Sequence, residues 1–417
     1  MSNDSRQDVA EAAAEEARPA PTPRESTPPE EGSAPEEVPA KPRRRLREAG
    51  KNLLTLTVSV VIALLLGEGG VRLFAPQQLV VRRTDVWLPV AGVGYKHAAN
   101  IRTQANTGEQ VVNIVTDEDG YRVGLDGRKQ AEHNILLLGD SYMEALQVEY
   151  ADSVAGLLEE RLSKKLGVPI GVRNTGVSGY SPSQYLIVAK EELAKAHFDL
   201  VVVALYMGND IEETRTDFFP PKTATGREFR MPKNLGREEL MSAIAAPMDQ
   251  ALEAQSELYI LVRKGLDNTR KEAGLVSRLL PPYFFKADPA RGCDVTAAIA
   301  LDIAKAAQEK GAQPVAFLIP ARYQVDQASF AEYVKVAELK AEDVDLDKPN
   351  RMLGQALQNA NVTVIDTLPE LRAAHARGEV VFGTVDQHIN GNGHRVVADA
   401  LGPALENALR GAIAKTP

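Results

Sequence analysis

The sequence predicts an α/β protein: a parallel β-sheet with helices on both faces, preceded by a transmembrane helix and interrupted by a mainly helical insertion. Three observations carry that prediction. From residue 132 onward, apolar runs of strand length alternate with longer amphipathic stretches, the chain order of a parallel sheet with crossover helices. Runs such as Asn134–Leu138 (NILLL) and Asp199–Leu205 (DLVVVAL) lack the polar alternation of half-exposed strands, so they read as strands buried on both faces. A separate apolar segment, Leu53–Leu66 (LLTLTVSVVIALLL), directly follows a basic cluster.

Residues 1–40 hold ten acidic and three basic side chains, prolines at 19, 21, 23, 28, 29, 35 and 39, and almost no large apolar side chain. Burial cannot offset the entropy of ordering such a stretch, so residues 1–51 are expected to form a disordered tail with a basic end. That end is Lys41, Arg43, Arg44, Arg45, Arg47 and Lys51. The fourteen residues Leu53–Leu66 rise about 21 Å as a helix, short of the roughly 30 Å hydrocarbon core. Apolar character resumes at Val71, Leu73 and Phe74, past Glu68 and Arg72, which are i,i+4 and can pair. The expected span is therefore 52–74. Positive residues on its N-terminal side place the tail in the cytoplasm and everything after residue 75 outside, as in a single-pass protein of the inner membrane. A cleaved secretory signal and a buried globular helix are the alternatives.

Residues 75–131 read as an extended, partly β connector, with a β-rich run at Gln110–Thr116 and a turn at Asp119-Gly120. The main domain is expected over 132–417. Its elements are a helix over 151–166, a strand at Pro169–Arg173, a helix over 183–196, and the strand Asp199–Leu205. They continue with a helix over 295–310, strands at Pro314–Ile319 and Val362–Ile365, and a closing helix over 392–411. Between them lies an insertion, 211–293, with a helix over 237–264. It carries two aromatic-proline clusters, Phe218-Phe219-Pro220-Pro221 and Pro281-Pro282-Tyr283-Phe284-Phe285. They form either an ordinary packed insertion or a wall over a site.

The formal net charge of −9 argues against a nucleic-acid surface. Cys293 is the lone cysteine, so neither an internal disulfide nor a cysteine-based zinc site is available. The six histidines include no His-x-x-x-His pair. In open parallel sheets, ligands bind at the carboxyl ends of the strands, and four blocks of interest stand there. The first strand ends in Gly139-Asp140-Ser141-Tyr142. A serine on a turn into a helix meets the positive end of the helix dipole, which favours negative charge on its oxygen; alternatively Asp140 or Ser141 simply caps the helix.

The next strands lead to Asn174-Thr175-Gly176-Val177-Ser178-Gly179 and to Gly208-Asn209-Asp210. Close-approaching backbone N–H groups and an Asn amide are the parts of an oxyanion hole, or else of ordinary turns. Near the C-terminus comes Asp386-Gln387-His388, followed by Asn390-Gly391-Asn392-Gly393-His394. An Asp two residues before a His can accept from one imidazole nitrogen and leave the other to take a proton from a serine. His394, at the start of the closing helix, is the rival base with a structural role as its simpler reading. The four blocks in one chain order favour catalysis over coincidence.

These blocks resemble the SGNH hydrolase superfamily, the GDSL esterases and lipases, over roughly 132–417. Gly139-Asp140-Ser141 matches the nucleophile block and Gly176 the glycine block. The Gly-x-Asn-Asp block is shortened to Gly208-Asn209-Asp210. Asp386 and His388 are separated by one residue rather than the more usual two, as in membrane-anchored bacterial members. The resemblance implies a three-layer flavodoxin-like fold and acyl-ester chemistry with no metal or other cofactor. By carry-over, Ser141 is the nucleophile, His388 the general base and Asp386 its orienting partner. The Ser141 and Gly176 N–H groups and the Asn209 side chain are the oxyanion donors. An ester hydrolase acting on small acyl esters or O-acylated glycans or lipids is the first reading. An O-acyltransferase of envelope polysaccharide is the second, and a non-catalytic glycan-binding or scaffold protein the third. The catalytic readings require Ser141 Oγ and a His388 nitrogen to lie within about 3.5 Å.

Overall fold

Leu136 and Leu138 point into one hydrophobic core and Ile135 and Leu137 into another, and all four are fully buried. That double burial requires a helical layer on each face of the sheet. The computed structural model describes residues 43–77, 79–81, 86–129, 131–215, 248, 251–272 and 280–414. The chain forms two units, Met1–Ile62 and Ala63–Pro417.

The described part of the first unit lies in α1 (Arg43–Phe74), which continues into the second. Its Glu48–Phe74 portion contains a window of mean hydropathy 2.0 with none of it buried, and among the described residues it is the one helix long and apolar enough to cross a membrane. Leu53, Leu54 and Leu65 are each about two-thirds exposed. A continuous row of such side chains in water is unfavourable, so α1 fits a membrane anchor. Arg43–Lys51, expected in the tail, are helical instead. Arg, Leu, Glu and Lys are good helix formers and extend the apolar helix upstream. Residues 1–42 of the expected tail lie outside the described residues.

The connector is built from two small antiparallel sheets. β1 (Trp87–Val90) pairs with β2 (Gly94–His97), placing Trp87 opposite His97. β3 (Arg102–Asn106), β4 (Val111–Thr116) and β5 (Arg122–Val123) form the second. The turn between β4 and β5 needs its glycine: Gly120 has φ +77, and a Cβ there would meet the His97 carbonyl oxygen at 2.3 Å.

The main sheet follows in the expected alternation. β6 (His133–Leu138) leads to α2 (Ser141–Glu144) and α3 (Val154–Leu166), β7 (Ile170–Asn174) to α4 (Pro182–Lys195), and β8 (Leu200–Tyr206) to α5 (Asp210–Arg215). After α6 (Glu257–Glu272) and α7 (Arg291–Glu309) come β9 (Gln313–Ile319), α8 (Arg322–Val325), α9 (Gln327–Val336), α10 (Lys348–Asn359), β10 (Thr363–Asp366), α11 (Leu368–Ala376) and α12 (Gly391–Ile413). The five strands are parallel, in the order β10-β9-β8-β6-β7, which is the flavodoxin-like order. Helices α4, α7 and α10 share one core with Leu136, Val201 and Leu318, while α3, α11 and α12 share the other with Ile135, Val202 and Phe317. The fold is thus a three-layer α/β sandwich. Strand order reverses where β6 lies between β7 and β8, which opens the crevice at their carboxyl ends.

Several expectations shift. Of the expected helix over 237–264, the described residues are helical at 248 and over 251–255, then break at Ser256 and resume in α6, which runs on to Glu272. Its start is set by a distant group. The Glu68 carboxylate accepts the Glu257 and Leu258 N–H groups, each at 3.0 Å, and the Ser256 hydroxyl at 2.8 Å, capping the positive end of α6. Arg72 bonds both Glu68 Oε1 at 2.7 Å and the Gln255 carbonyl at 2.9 Å. Residues 237–247 and the Phe218–Pro221 cluster lie outside the described residues. In the second aromatic cluster, Tyr283 and Phe284 are buried in the core, and the Tyr283 hydroxyl donates to the Met207 carbonyl at 3.0 Å. That cluster packs the insertion down. Helix α7 also begins at Arg291, ahead of the expected 295, and α8, α9, α10 and α11 fall where the sequence predicts no element.

Candidate active site

At the end of β6 the chain turns sharply, and a Cβ on Gly139 would lie 2.4 Å from the Met143 side chain. Asp140 caps the four-residue α2 by accepting the Tyr142 N–H at 2.9 Å. Capping therefore belongs to Asp140, and the Ser141 hydroxyl is left for other work. Ser141 is the first residue of the helix, a position whose N–H has no acceptor within the helix.

Ser141 Oγ lies 2.7 Å from His388 Nε2, and His388 Nδ1 is hydrogen-bonded to Asp386 Oδ1. The one-residue spacing works because Asp386 folds over its own turn. Its Oδ1 also accepts the His388 backbone N–H at 3.0 Å, while Oδ2 accepts from Gln147 Nε2 at 3.0 Å. With Asp386 accepting from Nδ1–H, Nε2 is free to accept from the serine hydroxyl. The Tyr142 ring lies tilted against the imidazole, with ring centres 4.8 Å apart.

The glycine and asparagine blocks close around this line. A Cβ on Gly176 would come within 2.5 Å of the Glu144 nitrogen, so only glycine lets this loop pack on the end of α2. Its N–H donates to Asn174 Oδ1 at 3.1 Å, and Asn174 Nδ2 donates to the Met143 carbonyl at 2.6 Å. Asn209, on the turn after β8, donates one Nδ2 hydrogen to Glu213 at 3.0 Å and keeps a second. Asp210 turns inward to accept the Tyr206 N–H at 2.8 Å and the Tyr185 hydroxyl at 3.0 Å.

Burial pulls the Asp386 carboxyl upward, but its His388 bond and the imidazolium charge hold it below the ordinary range. Burial pulls His388 down, yet its bond to Asp386 and the charges of Asp386, Asp140 and Glu144 outweigh that and place it above an ordinary histidine. The neighbouring acids move the other way. Burial pushes Asp140 up to about 6 and, with the Asp140 charge, Glu213 up to about 8. Asp210 is raised well above its usual value by burial and by Asp140 and Glu213.

Of the two candidate bases, His388 and His394, it is His388 that meets the serine. His394 lies fully buried at the start of α12, where its Nδ1 accepts the Val154 N–H at 3.4 Å. Burial, then the Arg122 charge, push it down to about 3. Between pH 6.5 and about 3 the unfolded chain binds a proton there that the folded protein does not. Stability is therefore expected to fall as pH drops through that window, by on the order of several kcal/mol. Denaturant unfolding at stepped pH should show that slope flattened in His394→Gln relative to the parent protein.

Two further residues reach the site from places the sequence did not flag. Gln147 holds Asp386. Glu109, from the β3–β4 turn, accepts the Val385 N–H, the Asp386 N–H at 2.9 Å and the Thr384 hydroxyl at 3.1 Å. Neither carries a local signal, because their partners stand well over two hundred residues away.

Residues 285–416 match the family model described as "SGNH hydrolase-like domain, acetyltransferase AlgX". No curated protein matches the chain. Among solved structures, it is similar to a lipolytic G-D-S-L family protein of Veillonella parvula at 14% identity and TM-score 0.35, covering 64% of this chain and 96% of that one. It is also similar to the acetyl xylan esterase AlAXEase at 13% and 0.38, covering 65% and 98%. A third is a catalytic mutant of the acetylxylan esterase Axe2 of Geobacillus stearothermophilus, at 10% and 0.36, covering 66% and 94%. At these identities and scores nothing about activity follows from the structural likenesses. The match to an SGNH hydrolase-like domain thus covers residues 285–416, the part of the chain that supplies Asp386 and His388, and the flavodoxin-like strand order brings Ser141 to them.

Proposed function

We propose that the protein is a serine-dependent acyl-ester hydrolase acting outside the cytoplasmic membrane, with small acyl esters or O-acylated glycans or lipids as its substrate class. The observation that carries this reading is the continuous line from Asp386 through His388 to the Ser141 hydroxyl, 2.7 Å from Nε2. As Ser141 Oγ bonds to the ester carbonyl carbon, its proton passes to His388 Nε2, and Asp386 stabilises the imidazolium formed. The carbonyl oxygen becomes an oxyanion. Its donors are the Ser141 N–H, the free Asn209 Nδ2 hydrogen and the Gly176 N–H, which must share its bond to Asn174. Collapse breaks the bond to the alcohol, which leaves with the proton from His388. Water then attacks the acyl-serine, giving a proton to Nε2; collapse breaks the bond to Ser141 Oγ, which takes that proton back from His388 as the acid leaves.

The raised acids assist. A Glu213 that holds its proton up to about pH 8 presents no negative charge beside Asn209 as the oxyanion forms. The apolar α1 anchors the domain to the inner membrane, with the basic residues upstream of it on the cytoplasmic side.

A second reading, O-acyltransfer to an envelope polysaccharide hydroxyl, is favoured by the family description, which names an acetyltransferase. It differs only in the group that accepts the acyl from Ser141. A fluorophosphonate probe is expected to modify the peptide containing Ser141, and an acetyl-ester donor to be consumed. Free acetate in buffer alone supports hydrolysis, and acetyl on an added glycan supports transfer. No labelling and no turnover of any ester would remove both readings and leave a binding role.

A further inference from the structure

The sequence of the connector assigns it no chemistry, yet its side chains hold both halves of the site. Glu144 closes α2, three residues after Ser141, and its side chain is fully buried. Its Oε1 is bonded to His97 Nε2 and accepts the Trp87 indole N–H at 3.2 Å. Its Oε2 accepts both the hydroxyl of Ser178 and the Ser178 N–H, the latter at 3.0 Å. Trp87 and His97 stand opposite each other in the β1–β2 pair, so one hairpin delivers both donors. His97 Nδ1 in turn faces the Gly120 carbonyl at 3.2 Å, which can only accept. The same hairpin reaches the loop directly, through the Tyr95 hydroxyl on the Ser178 carbonyl at 2.6 Å.

A carboxylate buried this deeply is strongly unfavourable without donors, so its hydrogen bonds dictate where it sits. Glu144 consequently joins three pieces: the end of the helix that begins with Ser141, the loop just beyond Gly176, and the connector. The other half of the site is held by the same segment. Glu109 gathers the Thr384 hydroxyl and the Val385 and Asp386 N–H groups into one turn, the turn from which Asp386 supports His388.

We infer that residues 86–123 are a positioning element for the acyl-ester site, acting on one half directly through Glu109 and on the other through Trp87 and His97, which hold the positioning residue Glu144. Glu109 fixes the turn that carries Asp386, and Glu144 fixes the Ser141 helix against the loop that follows Gly176. This rests on the proposed function above, and neither residue is assigned a contact with substrate. The physical warrant is geometric. The serine–imidazole line must hold its alignment, and a displacement near 1 Å lowers the rate by roughly 100-fold.

Glu144 also contributes charge. His388 is faced by the carboxylates of Asp386, Asp140 and Glu144, by the Tyr142 ring and, more distantly, by His394. Glu144 is faced by His97, Trp87, Ser178 and the Arg122 guanidinium, which donates to its backbone carbonyl at 2.7 Å. Removing the Glu144 charge therefore disfavours the protonated form of His388.

The test uses the full chain, p-nitrophenyl acetate turnover, the rate of fluorophosphonate labelling, and thermal unfolding of every variant. Glu109→Ala is expected to lower kcat and the labelling rate roughly 10- to 100-fold with KM little changed. Glu109→Gln, which keeps an acceptor oxygen, should recover most of that loss. Glu144→Gln is expected to lower kcat and to move the acid limb of the pH profile to lower pH, which a purely structural role would not do. If Glu144→Gln does not fold, Trp87→Phe removes one donor, keeps an aromatic ring and should lower kcat more mildly. Wild-type kcat in Glu109→Ala, or an unmoved acid limb in a folded Glu144→Gln, overturns the inference. A parent protein that neither labels nor turns over ester removes the underlying reading, and this one with it; a parent that labels beside unaffected variants removes this one alone.

Discussion

Ser141→Ala is expected to abolish fluorophosphonate labelling and to lower ester turnover by roughly 10⁴- to 10⁶-fold, the loss typical when a serine nucleophile is deleted. Its unfolding transition should match that of the parent. The hydroxyl is bonded to His388 Nε2 at 2.7 Å, whereas the cap of α2 is made by Asp140. Helix α2 thus keeps its cap, and alanine is a good helix former. Intact-protein mass after probe treatment gives one readout and denaturant unfolding the other. Labelling that persists in this variant, at any residue required for turnover, would count against Ser141 as the nucleophile.

Asp386→Asn is expected to lower kcat/KM by about 10⁴-fold while His388 stays in place. The asparagine oxygen can still accept from a backbone N–H, as Asp386 Oδ1 does from His388 at 3.0 Å. Its NH₂ group, however, favours an imidazole with the proton on Nε2, which no longer accepts from serine. The pH dependence has a definite sign. Attack needs neutral His388, and that residue sits above the ordinary histidine value of 6.5 because the Asp386 bond and nearby carboxylates outweigh burial. The acid limb of the parent kcat/KM profile should therefore have its midpoint above 6.5. Without the Asp386 charge, burial is less opposed, and the limb of the residual activity should move down. A limb that stays put would mean that the titrating group is not His388.

The strands were legible because a parallel sheet buried on both faces demands continuous apolar runs. Asn134–Leu138, Asp199–Leu205 and Pro314–Ile319 each overlap an observed strand closely. The blocks at their ends were legible for a related reason, since short turns between strand and helix keep Gly139–Ser141 and Gly208–Asp210 contiguous. The one-residue gap between Asp386 and His388 is explained by a carboxylate that serves both the ring and the backbone N–H of the same residue. The rest depended on contacts between segments far apart in the chain. The α6 boundary is set by Glu68, the buried state of Glu144 by Trp87 and His97, and the Asp386 turn by Glu109. None of these leaves a periodic or local trace, because each is a single polar group answering a partner from another element.

The Glu68 cap on α6 has a mechanical consequence. A domain hung from its anchor by a loose leash of n residues wanders over about 5–6 Å × √n. Here the polypeptide comes back to the anchor's end. Glu257 bonds the Gln77 N–H at 2.8 Å, Lys264 the Gln77 side chain at 3.0 Å, and the Glu253 carbonyl the Val80 N–H at 3.0 Å. These bonds, all within the second unit, tie Glu68, Gln77 and Val80 to residues 253–264, so the chain leaving α1 is stapled down at several points and is no free leash.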